Sequence, residues 1–391
     1  NLILGSKFVK NLQKGRFFIL QTEINNGTLT SESQSLSAHV TVNGSGRNNM
    51  NKFITAAVVA TIGFSSTALA EGKRIGVSWA SFQEERWKTD EAAMVAAIEA
   101  AGNTYVSADA QSSSAKQLTD IEALMSQGVD ALIINAWDKD AIGPAIDAAA
   151  NEGIPMIGYD RLIEDERTFY LTFDNVGVGR IIAESVAAVQ PKGNYAIIKG
   201  DPGDPNAGFL LQGMMQVIGG AVDSGDIVIA GENFSDSWKP ENAQKNMEQI
   251  LTANDNKIDA VLSQNDGMAG GVVAALSAQG LVIPVGGQDG DLAAINRVAR
   301  GTQTVTVWKN ATDLGTAAGE IASALADGTV MTDIEGASMF TGGEKGTPVP
   351  SILLDPTPLT KANLSIAIDA GHISKAQACE GAMDGVDGCG M

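Results

Sequence analysis

Histidine is nearly missing from this 391-residue chain, occurring only as His39 and His372 near the two ends. With no histidine in between, neither a Ser-His nor a Cys-His catalytic site can be built around a central cleft. Cysteine is as scarce: Cys379 and Cys389 lie ten positions apart in a Gly-rich tail. The spacing and the lack of histidine partners do not suit a zinc site. In an exported chain, oxidation would join the two in a small terminal disulfide. The alternative is a pair of free thiols in a mobile tail.

Nucleotide-binding motifs are also absent. The chain has no G-x-G-x-x-G and no G-x-x-x-x-G-K-[ST], so neither a dinucleotide nor a phosphate cradle is indicated. Asp289-Gly290-Asp291 lacks the later ligands of an EF-hand loop. No cofactor, metal or enzymatic activity is expected. Basic residues are few, 26 against 46 acidic, for a net charge of −20. Such a surface repels nucleic acid and anionic membranes.

What the chain does contain begins with an export signal. Met50 opens it, Lys52 supplies the positive region, Phe53–Phe64 is apolar, and Ala68-Leu69-Ala70 is a small-residue cleavage site. The apolar run is too short to span a bilayer. Residues 1–49 are polar and without periodicity, and read as upstream sequence translated in error or a disordered extension. From Glu71 onward 20 basic and 44 acidic residues remain, a net charge of about −24.

From Arg74 short apolar runs alternate with helical patterns. Ile75–Ala80 is the first strand. The helix after it places Trp87, Met94 and Ile98 on one face, with Glu91 among them, so its first turn should be less buried than the rest. The pattern restarts near Val176. Repeated strand–helix units imply parallel sheets with right-handed crossovers, and there are too many for one sheet. The expected fold is α/β: two doubly wound open parallel-sheet lobes. The first lobe is assigned 71–175 plus 310–341, the second 176–309 plus 342–372, and 373–391 forms a Cys-containing tail. The Gly- and Pro-rich stretch Phe340–Pro358 is read as the last crossing between lobes.

In such folds ligands bind just beyond the carboxyl ends of strands. Arg86 and Trp87 follow the first strand and offer paired donors beside an aromatic face that can lie against a pyranose. Asn135 ends another strand; an amide can donate to and accept from hydroxyls, or simply cap a helix. Asp160 and Arg161 can hold neighbouring hydroxyls as acceptor and donor, or form a local surface ion pair. Asp204 and Asn206 lie in a Pro-bounded turn. Trp238 could be a second aromatic wall or a hydrophobic staple. Asn265-Asp266, Gln288-Asp289 and Lys309 follow later strands. Each alone is weak. Acids, amides, cations and indoles recurring at successive strand ends describe a neutral polyol site, because planar charged groups bond hydroxyls in pairs.

Several of these segments belong to a known pattern: Glu85-Arg86-Trp87, Tyr159-Asp160-Arg161, Phe173-Asp174-Asn175, Trp238-Lys239-Pro240-Glu241-Asn242-Ala243 and Gly287-Gln288-Asp289. From about Arg74 to His372 the chain resembles the D-xylose-binding branch of the ribose-type (type I) periplasmic binding proteins of bacterial ABC importers. The resemblance implies two lobes, a three-crossover hinge that closes on a sugar, and delivery to a membrane permease. It also implies a monomer in the periplasm with sugar contacts at Arg86, Arg161, Asp204, Asn206, Trp238, Asn265, Asp289 and Lys309. Trp79, Phe82 and Trp137 stand outside the pattern. A related branch binds several aldoses and presents them to a sensor kinase or chemoreceptor, so both roles stay open.

Overall fold

The computed structural model describes residues 72–390. The proposed export signal and the segment before it lie outside the described residues.

Sequential strand–helix units build two sheets. In the first lobe β1 (Arg74–Trp79), β2 (Thr104–Asp109), β3 (Ala131–Ile134), β4 (Met156–Tyr159) and β5 (Thr168–Phe173) form parallel ladders. The helices here are α1 (Arg86–Ala100), α2 (Ser114–Ser126) and α3 (Gly143–Glu152). Every residue of β3 and β4 is buried, as expected when helices cover both faces of a parallel sheet.

The second lobe opens with α4 (Asn175–Val189), which sequence periodicity missed, and continues through β6 (Gly193–Lys199), α5 (Pro205–Ser224) and β7 (Ile227–Phe234). It runs on through α6 (Pro240–Ala253), β8 (Ala260–Ser263), α7 (Asp266–Ala278), β9 (Val285–Asp289), α8 (Leu292–Ala299) and β10 (Val305–Trp308). The chain then returns. Helix α9 (Ala311–Ala326) packs on α1 in the first lobe. Gly315 and Gly319 permit this contact, since a Cβ on Gly315 would stand 2.3 Å from the Asp90 carbonyl oxygen.

One sequence assignment is corrected here. Residues 342–354 were given to the second lobe, but β11 (Ser338–Phe340) and β12 (Val349–Leu354) extend the first sheet. β12 lies parallel to β5, Ser351 opposite Tyr170. The Gly-Pro stretch is the loop of an antiparallel hairpin, and Pro350 disguised its second strand, because proline argues against an interior strand. The last crossing is at Asp355-Pro356, after which β13 (Thr357–Leu359) pairs antiparallel with β10. The final orders are β11-β12-β5-β4-β3-β1-β2 and β13-β10-β9-β8-β6-β7. Three connections therefore join the lobes, at Asp174-Asn175, Lys309-Asn310 and Asp355-Pro356.

The first turn of α1 is also deeper than its sequence suggested. Arg86, Trp87 and Asp90 are buried with Met94 and Ile98, so the inward face runs through Asp90 rather than Glu91. A helical acid is normally solvated; this one is drawn inward by Arg86 and the Tyr159 hydroxyl. Nor does the tail stand apart. Helices α10 (Ser365–Asp369) and α11 (Lys375–Ala378) bury Ala367, Ile373, Ala378 and Val386 against Ile295, Val298 and Trp308. Cys379 and Cys389 are joined in a disulfide, with Cα atoms 5.4 Å apart.

Candidate functional site

The carboxyl ends of both sheets face one cleft, and almost every strand-end residue singled out above lines it. The first lobe contributes Arg86 and Trp87 from the start of α1, and Asp160 and Arg161 from the turn after β4. The second contributes Asp204 and Asn206 at the start of α5, Trp238 before α6, Asn265 before α7, and Asp289 at the end of β9. Lys309 stands at a lobe crossing. Together they line a narrow cleft that is partly open to solvent. A larger surface groove lies elsewhere between Glu164, Phe209 and Glu344. Its charged groups are satisfied at the surface: Lys139 pairs with Glu344 at 3.1 Å, and Glu164 accepts from the backbone of Lys345 and Thr347.

In the cleft the charges pair across the lobes. Arg86 donates to both Asp90 oxygens at 3.1 and 3.2 Å, to Asp160 at 3.1 Å and to Asp289 of the other lobe at 3.4 Å. Lys309 donates to Asp160 at 2.9 Å, and the Asn206 amide reaches the same carboxylate at 3.2 Å. Arg161 Nε lies 2.8 Å from Asp204 Oδ2, but its N–H is not aimed at that oxygen and is left without a hydrogen bond. Asp160 and Arg161 are thus not a local surface pair. Each is buried and each finds its partner elsewhere.

The surroundings shift the acids in different directions. Burial alone would raise the Asp160 carboxyl, yet Lys309 and Arg86 outweigh it and hold it well below the ordinary range. Burial wins at Asp204 and Asp289, whose carboxyls are raised despite Arg161 and Arg86 respectively. Perturbed groups of this kind gather at binding sites. So does backbone strain: Asp160 (φ 62°), Trp238 (φ 57°) and Asp289 (φ 101°) all sit at positive φ. Such conformations cost about 1–3 kcal/mol each in non-glycine residues and persist only where surrounding contacts enforce them.

Capping and cleft roles coexist. Asp204 accepts from the backbone of Asn206 at 2.9 Å and Asn265 from that of Met268 at 2.8 Å, so each caps a helix while lining the cleft. Trp238 packs into the second-lobe core against Gly200, where a Cβ would meet its indole at 2.2 Å. Its buried Nε1 has no hydrogen-bond partner among the described residues, and the same is true of Gln288 Oε1. Trp87 carries the Arg86 guanidinium 4.5 Å above its ring and packs on Trp79.

One candidate is moved by the structure. Asn135 does not line the cleft. Its side chain is consumed behind it, accepting from the Ala80 backbone at 3.3 Å and donating to the Tyr159 carbonyl at 3.2 Å. Glu84 joins the lining, and so does Gln288 of the strand-end pair Gln288-Asp289. Glu84 accepts from Trp87 Nε1 and lies 3.7 Å from Arg161, and burial raises its carboxyl. Glu84 precedes the recognisable Glu-Arg-Trp run and sits in a loop, which left no periodic signal to mark it.

A family model described as a periplasmic binding protein domain matches residues 75–329. The chain belongs to this family. Open α/β sheets bind ligands beyond the carboxyl ends of their strands, which is where this cleft lies. The chain is 40% identical to the D-xylose-binding periplasmic protein of Escherichia coli K12 over 300 residues, covering 76% of this chain and 89% of that one. It is 30% identical to the multiple sugar-binding periplasmic receptor ChvE of Rhizobium radiobacter, over 84% of this chain and 99% of that one. Among solved structures, an ABC transporter solute binding protein from Clostridium phytofermentans with bound β-D-glucose superposes with a TM-score of 0.72 at 31% identity. That likeness covers 78% of this chain and all of the other.

Proposed function

We propose that this periplasmic binding protein takes an aldose, D-xylose first, and delivers it to an ABC importer by hinge closure. It is a carrier rather than an enzyme. The observation that carries the reading is the convergence of both lobes on a buried cleft in which Trp238 Nε1, Gln288 Oε1 and Arg161 Nε have no hydrogen-bond partner among the described residues. Buried polar groups without partners are rare and costly. Sugar hydroxyls both donate and accept, and so could satisfy all three. The ligand contacts are Arg86, Trp87, Asp160, Arg161, Asp204, Asn206, Trp238, Asn265, Asp289 and Lys309, with Glu84 and Gln288 added and Asn135 as their support. A sugar touching both lobes would stabilise the closed state. The name of the Escherichia coli relative favours xylose. The acidic chain, the export signal read at residues 50–70 and the relatives' names favour the periplasm as its location.

Titration calorimetry tests this directly. D-Xylose should give an exothermic one-site isotherm. Absence of heat with every aldose at millimolar concentration would end the reading. A second role is favoured by the relative named as a multiple sugar-binding receptor: a wider range of aldoses, presented to a sensor kinase or chemoreceptor. A thermal-shift panel of pentoses and hexoses separates the two ranges, because a ligand that binds only the folded state raises its melting point.

A further inference from the structure

The cleft carboxylate of Asp289 is held on a two-residue turn in left-handed backbone, Asp289 (φ 101°) and Gly290 (φ 78°). From within the lobe, the Gly290 N–H donates to Asp266 and to the Thr306 hydroxyl, each at 3.0 Å, and the Asp291 N–H to Asp266 at 3.1 Å. From the other side the Gly290 carbonyl meets His372 Nε2 at 2.7 Å. A carbonyl oxygen only accepts, so Nε2 carries the proton. The His372 ring also stacks on Trp308, centroids 5.0 Å apart and planes 32° apart. Trp308 is the direct cross-strand neighbour of Asp289.

The segment that brings His372 here also grips the far end of the same unit. Asn296 of α8 donates to the carbonyls of Ala378 and Glu380 at 3.2 and 2.8 Å, and the Met383 N–H donates to the Ala299 carbonyl at 2.9 Å. The Cys379–Cys389 disulfide closes this wrap. The tail therefore holds α8 at its carboxyl end and, through His372, the turn just before its start.

We infer that His372 is a positioning residue for the ligand site: its hydrogen bond to Gly290 fixes the strained turn that presents Asp289 to the cleft. This rests on the sugar-binding reading for its functional consequence, while the turn itself can be measured without any sugar. The experiment compares wild-type protein with His372→Phe, which keeps a ring on Trp308 but loses the donor, and His372→Gln, which keeps a donor. Loss of one hydrogen bond should weaken D-xylose binding about 3- to 10-fold in His372→Phe, and His372→Gln should restore most of it. In an Asp289→Asn background, His372→Phe should cost nothing further. Amide exchange at Gly290 and Asp291 in the sugar-free protein should speed up in His372→Phe alone. Equal xylose affinity and equal amide protection in His372→Phe would overturn the inference, and so would rescue by Phe but not Gln. If the wild type binds no aldose, the functional reading fails, and the amide comparison still decides whether His372 holds the turn.

Discussion

Arg86 is the residue on which the cleft can be broken most informatively. The replacement Arg86→Met keeps an unbranched apolar stem and removes the guanidinium that lies over Trp87. It leaves Asp90, Asp160 and Asp289 facing a space from which their shared cation has gone. The Arg86 side chain is only 4% exposed, so solvent screens little of the loss. Removing one partner from a buried pair costs about 3–5 kcal/mol. At about 2–4 °C per kcal/mol for a large domain, the melting temperature should fall by roughly 6–20 °C. If Arg86 also bonds the sugar, one lost charge-assisted hydrogen bond of about 1.5–3 kcal/mol weakens binding about 10- to 150-fold. Scanning calorimetry reads the first quantity and xylose titration the second. Without Arg86 the carboxyls of Asp90 and Asp289 are raised further above their unfolded values. A raised carboxyl contributes stability at low pH that is lost as pH rises through its folded value. The gap between variant and wild type should therefore narrow from pH 8 to pH 5. A variant that melts like wild type and binds xylose within threefold would refute both the network and the ligand role.

Other consequences follow from single groups. Asp160 is held low, so it contributes stability above its unfolded value of 3.8 that is lost as pH falls below it; Asp160→Asn should flatten the acid limb of a urea midpoint-versus-pH curve. Asp266 behaves oppositely. Burial pushes its carboxyl from 3.8 up to about 7, so wild type should lose stability relative to Asp266→Asn as pH rises between those values, by at most about 1.4 kcal/mol per pH unit, and level off above 7. Replacing Cys379 and Cys389 together by serine opens a loop of sequence separation 10; the unfolded chain then regains entropy worth about 3 kcal/mol, and a reducing agent should lower the wild-type melting point to match.

The parts of this molecule that were legible in the sequence were those where one rule acted alone. Apolar runs such as Ile75–Ala80 and Ala260–Ser263 mark strands because both faces are covered, and the polar residue after each run has to lie at the sheet edge. That sufficed to bring ten of the eleven candidate residues to one cleft. What escaped involved competing rules. Asp90 gave no inward signal, because its cation lies one turn before it and its tyrosine 69 positions after it. Asn135 had the right place and the right chemistry, but its amide was claimed by two backbone groups from other strands. Strand β12 carried a proline, α4 opened with two glycines, and the Gly-rich tail concealed the few buried residues that dock it. In each case the deciding partner was distant in sequence, and no local pattern records that.

A neutral ligand raises the question of why its site is so highly charged. The cleft contains the carboxylates of Glu84, Asp160, Asp204 and Asp289, and the cations Arg86, Arg161 and Lys309. Every one of these cations already faces a carboxylate. The pairs within the first lobe, Arg86 with Asp90 and Asp160 and Arg161 with Glu84, hold planar groups in fixed orientations before the lobes close, which lowers the ordering cost of binding. A hydroxyl can enter such a pair by donating to the acid and accepting from the base, and no net charge is moved. An anionic sugar cannot, because no cation is spare and its own charge would face acids across a buried space of low dielectric. D-Xylose should therefore bind, while D-xylonate, of similar size, should not compete with it in a displacement titration. Effective competition by D-xylonate would mean that one of the three cations is released from its carboxylate on binding, and the cleft would have to be read as an anion site instead.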